Sequence, residues 1–93
     1  MHMFNEELWD EIIRLHIEEG RTYQSLHEEF GPAPHTIGKR VRNFRRKAKD
    51  NETQAELLGN MEEIRRLREE LAEARKENDF LKKLAAFYAK ETK

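Results

Sequence analysis

Between His35 and Lys49 the chain carries seven basic side chains, Lys39, Arg40, Arg42, Arg45, Arg46, Lys47 and Lys49, and no acid. The chemistry open to such a block is capture of a polyanion, because no neighbouring carboxylate neutralises the cations. A solvated helix face is the alternative, but such a face ordinarily interleaves acids at i,i+4 spacing. The formal net charge of −1 conceals the segregation: residues 1–34 hold two Lys/Arg against eight Asp/Glu, and residues 50–93 hold nine against eleven. If the polyanion is duplex DNA, His35, Thr36, Lys39, Arg42 and Asn43 are the groups suited to base edges. Arg40, Arg45, Arg46 and Lys47 are suited to phosphates.

Other chemistries are poorly served. The chain has no cysteine, which excludes disulfides and thiolate metal sites. Its four histidines, His2, His16, His27 and His35, lack partners at ligand spacing, so no metal and no cofactor are expected. No nucleophile–base pair, carboxylate pair or phosphate-binding glycine loop is present, and an enzyme is not expected. The longest apolar runs are only a few residues, too short for a membrane span or a secretory core, and a cytoplasmic protein without a membrane partner is the default expectation. With 93 residues, 40% of them charged, a large enclosed pocket is not expected either. Met1-His2-Met3 reads as a tag remnant ahead of a native Met3 and carries no structural weight.

The elements that must position the basic block follow from local signals. Asn5 is a good N-cap with Glu6 and Glu7 in the first turn. Leu8, Trp9, Ile12, Ile13 and His16 then recur at helical spacing until Gly20, which predicts a helix over about 6–19. Thr22 caps a second helix to Phe30, with Tyr23, Leu26 and Phe30 inward. Gly31-Pro32-Ala33-Pro34 breaks the chain, and Pro34 suits the first position of a third helix. Ile37, Val41 and Phe44 form its buried face; His35, Lys39, Arg42 and Arg46 lie opposite, with Thr36 and Asn43 beside them. An αα-hairpin remains open, but a short second helix, a glycine turn and an all-basic third helix together point to a helix-turn-helix.

Asp50 or Asn51 caps a last helix, with Gln54 as a weak capping box. From Leu57 a heptad runs with a at Leu57, Ile64, Leu71, Asn78 and Ala85, and d at Asn60, Leu67, Ala74, Leu81 and Tyr88. The g residues Glu63, Glu70 and Glu77 match e residues Arg68, Arg75 and Lys82 of a second parallel copy, whereas an antiparallel copy would set like charges together. The expected dimer core is Leu57, Ile64, Leu67, Leu71, Ala74, Asn78, Leu81, Ala85 and Tyr88. A long helix folded back on the head is the alternative. Phe80, Leu84 and Phe87 form a further stripe, open to packing on the partner's flank, a wider bundle, another protein, or a second dimer. The expected fold class is all-α: a three-helix helix-turn-helix head (4–47), a linker or helical hinge (48–56) and a long C-terminal coiled-coil helix (57–91).

Two segments carry a family likeness. GPAPHTIGKRVRNF (31–44) resembles the turn and recognition helix of bacterial insertion-sequence transposase OrfA proteins, and ENDFLKKLAAFYAKE (77–91) resembles that family's closing signature. The likeness spans about residues 7–91. It implies a DNA-binding subunit that recognises a mobile element's terminal inverted repeats as a zipper dimer and regulates transposition. The catalytic domain would then lie on a separate or frameshift-fused second reading frame, itself a further partner, and the location would be the bacterial nucleoid. By the same likeness Pro34–Phe44 correspond to the recognition helix and Leu57–Leu81 to the zipper. Arg40 stands where the family has an aromatic, Ala33 replaces a hydroxyl cap, and His27 stands where alanine is usual; Arg40 is expected to weaken the head core and turn to phosphate. A free-standing helix-turn-helix repressor, and a coiled-coil adaptor for RNA or an acidic protein, remain alternatives.

Overall fold

The computed structural model describes residues 5–91, all of its regular structure helical. Met1-His2-Met3 and Phe4, the first residue of the expected head, lie outside the described residues. Four helices follow in order: α1 (Glu6–Glu19), α2 (Tyr23–Phe30), α3 (Pro34–Ala48) and α4 (Glu52–Glu91). The chain is all-α with a long C-terminal helix, as the periodicities predict.

The helix ends are set by local chemistry. Asn5 Oδ1 accepts the Leu8 N–H at 2.8 Å, and Thr22 Oγ1 accepts that of Ser25 at 3.0 Å. Gly20 adopts φ 72°, and the Gly20 and Arg21 N–H groups return to the carbonyls of His16 and Leu15. That left-handed cap strains any residue with a Cβ. Ala33 supplies no side-chain cap to α3; Pro34 opens the helix instead, where a missing N–H costs nothing. His27 donates from Nδ1 to the Pro32 carbonyl at 3.1 Å and lies 3.3 Å from that of Gly31, so this histidine ties the α2–α3 turn to α2. Asn51 Oδ1 accepts the Gln54 N–H at 3.0 Å and identifies Asn51 as the cap of α4.

One core joins all four helices. Ile12, Leu26 and Ile37 lie at its centre, fully buried; Trp9, Ile13, Ile17, Val41 and Met61 surround them. Each such side chain contributes about 1.5–3 kcal/mol relative to exposure. The Tyr23 ring lies over Gly38, where a Cβ would stand only 3.1 Å from the ring edge, so this glycine permits the close approach of α2 to α3.

The expected linker at 48–56 is a three-residue turn, Lys49 to Asn51, followed at once by helix. The first three turns of α4 lie against α1 and α3 through Leu58 and the 7%-exposed Met61. Arg65 is still half-buried against the head, and from Arg66 to Glu91 every residue of α4 is exposed in the single chain. At 1.5 Å per residue a helix of this length spans about 60 Å, which accounts for most of the molecule's 70 Å long axis.

Candidate nucleic-acid interface

Helix α3 divides its basic block among three directions. Ile37, Gly38, Val41 and Ala48 are buried and Phe44 is half-buried, which fixes the inner face. At about 100° per residue the outer face then carries His35, Lys39, Arg42 and Arg46. All four are exposed, while Thr36 and Asn43 are half-buried at the edge of the stripe. Arg46 donates to Asn43 Oδ1, which orients the amide along the outer face. No acid occurs in the first turn of α3, and Arg45, Arg46 and Lys47 occupy its last turn, where the helix dipole favours cations.

Two of the arginines assigned to phosphate lie on the flanks of α3 and touch other helices. The Arg40 guanidinium sits 4.5 Å above the Trp9 ring centroid and 3.6 Å from Glu6. Instead of loosening the head where the family has an aromatic, Arg40 covers Trp9 with its planar cation. Arg45, on the opposite flank, lies 3.4 Å from Glu62 of α4. Lys47 is exposed beside the cleft between α1, α3 and the start of α4. The outward cations are therefore Lys39, Arg42, Arg46 and Lys47.

The expected dimerisation residues lie on α4, and Leu57, Ile64, Leu67, Leu71, Ala74, Asn78, Leu81, Ala85 and Tyr88 are all exposed in the single chain. The head occupies the adjacent b/e side through Leu58 and Met61, and Leu57 lines the margin of the head cleft. The charged flanks are unequally engaged within the chain. Arg68 approaches Glu19 of α1 at 4.0 Å, and Arg66 bridges Glu63 and Glu70, the latter at 2.6 Å. The hydrogen bond from Arg66 holds the Glu63 carboxyl below its usual range; desolvation opposes this and the Arg66 charge adds to it. Arg75, Glu77 and Lys82 form no ion pair with any described residue. The third g–e′ set is thus fully available to another chain.

No family model, curated protein or solved structure matches this chain.

The structure also brings forward residues the periodicities did not. Met61 sits at an e position where a charge is usual, and that apolar exception was the available sign of a second packing face. The Arg65 guanidinium lies against Gly20 at the C-terminus of α1, where a Cβ on Gly20 would stand 2.7 Å from Cζ. Arg65, Arg68–Glu19 and Arg45–Glu62 join α4 to the head around the Met61 contact. Among the described residues no helix is long and apolar enough to cross a membrane.

Proposed function

We propose that this chain is the sequence-specific DNA-binding subunit of a mobile-element transposase, acting on terminal inverted repeats as a parallel homodimer. The observation that carries the reading is the outer stripe of α3. Exposed His35, Lys39, Arg42 and Arg46, with half-buried Asn43 at their edge and no acid, lie on the face of α3 opposite buried Ile37 and Val41, and a short α2 and a tight turn precede that helix. A helix of this kind enters the major groove, where Lys and Arg read guanine O6 and N7 and Asn reads adenine. Arg46 and Lys47, near its C-terminal end, supply phosphate contacts that fix register. The likeness of 31–44 and 77–91 to the OrfA family supplies the mobile-element context, and the charge-matched heptad supplies the dimer.

Selection of bound sites from a random duplex pool tests the reading. Enrichment of a repeated motif, lost on Lys39→Ala, is the expected result. Arg46→Ala should weaken binding to all sequences alike and lower the slope of log affinity against log salt by about 1. Failure to bind any duplex at moderate salt overturns the proposal, as does uniform loss in both variants for the base-reading role of Lys39.

A further inference from the structure

The geometry points to residues 80–91 as an assembly surface that joins two of the parallel dimers into a four-helix tail. The inference rests on the parallel-dimer reading above and extends it to a second copy of the dimer. Phe80, Leu84 and Phe87 recur at spacings of four and three, the spacing of a coiled-coil seam, alongside the a/d seam of Leu81, Ala85 and Tyr88. Their side of α4 is charged upstream: the corresponding c and g positions are Arg66, Glu70, Glu73 and Glu77. At Phe80 the stripe turns apolar, and in the single chain Phe80 is 61% exposed, Leu84 37% and Phe87 57%.

A two-stranded coil leaves this stripe uncovered. Its flanking g and e positions lie at the edge of the interface, its c positions outside it. The g–e′ pairs Glu63–Arg68, Glu70–Arg75 and Glu77–Lys82 match in charge, and the next pair, Leu84–Ala89, is apolar. The change from charged to apolar flanks marks the point where two strands no longer suffice. The same segment supplies the complementary surface. From Ala86 at b to Ala89 at e, beyond Lys82, the opposite flank is small, so Leu84 and Phe87 of one helix fit against Ala86 and Ala89 of the next.

The test is the mass of the full chain in solution across concentration, by sedimentation or light scattering. Four chain masses, against 11.2 kDa for one, is the expected result at high concentration. Phe80→Glu with Phe87→Glu should raise the concentration needed for the four-chain species at least about 100-fold and leave two chains. Both side chains are exposed in the single chain, and unchanged helical ellipticity would confirm that the fold is intact. A wild-type protein that stays at two chains overturns the four-helix tail and leaves the dimer standing. A single-chain mass overturns both, and a four-chain mass that survives the double substitution overturns the assignment to Phe80 and Phe87.

Discussion

Arg40 and Arg46 are six residues apart on one helix, yet their surroundings give them different work. Arg40 rests on Trp9 beside Glu6, and its side chain is partly covered. Arg40→Ala should therefore lower the free energy of unfolding by about 0.5–1 kcal/mol, the range for a cation–π contact near the surface. Thermal unfolding would register the loss, while the salt slope of DNA binding would stay near that of the unmodified chain. Arg46→Ala should do the reverse. Gly20 gives a second expectation at this scale: Gly20→Ala places a Cβ at φ 72° against Arg65, and should cost about 1 kcal/mol or more in the same unfolding measurement. Glu63 gives a third, in pH. Its folded carboxyl is held below the ordinary range by Arg66, so the pair's contribution is present above that range and is lost as pH falls through the lowered value. At neutral pH and high dilution, Glu63→Gln should reduce the helical ellipticity of α4 slightly, and at acid pH the two proteins should converge.

At the scale of elements, α4 has two employments along its length. Its first three turns complete the head core through Met61, Arg65 and Arg68 still touch α1, and the helix stands clear from there on. Met61→Ala should destabilise the head by about 2–3 kcal/mol, the low end for truncating a buried methionine, measured by denaturant unfolding of dilute protein. The three helices of the head were legible in the sequence because their ends are local: Asn5, Thr22 and Pro34 start them, and Gly20 and Gly31 stop the first two, each within a few residues. The outer stripe of α3 was legible for the same reason, since Ile37, Val41 and Phe44 fix which way Lys39 and Arg42 must face. The docking of α4 was not. A heptad says which side of a helix is apolar but not which neighbour covers it, and Met61 interrupts only one e position. Nor could spacing reveal that Arg40 would find Trp9, or that Gly38 would admit Tyr23, because those contacts join residues 31 and 15 positions apart. Ile17 was passed over although it continues the α1 stripe one turn beyond Ile13.

At the scale of the whole molecule, head and tail form one continuous object 70 Å long. Met61, Arg45–Glu62 and Arg68–Glu19 fix how α3 is oriented relative to the axis of α4. In the proposed parallel dimer the two copies of α3 would be held at a set separation and angle, with only the three-residue turn at Lys49–Asn51 between α3 and α4. Moving paired half-sites apart by about 5 bp, half a helical turn, should therefore reduce affinity at least about tenfold in a gel-shift titration, and a further 5 bp should not act as a simple continuation of that trend. The shared use of α4 has a consequence in time as well as in space. Amide protons from Glu62 to Arg65 lie on the stretch of α4 docked to the head, and their exchange rates should follow the head's stability and be independent of protein concentration. Residues from Lys76 to Phe87 are exposed in the single chain, and exchange of their amides should slow as concentration rises if copies associate. One unbroken helix would thus carry two clocks, and the residues where they change over would mark the end of the head, inside α4 and well past the turn at Lys49.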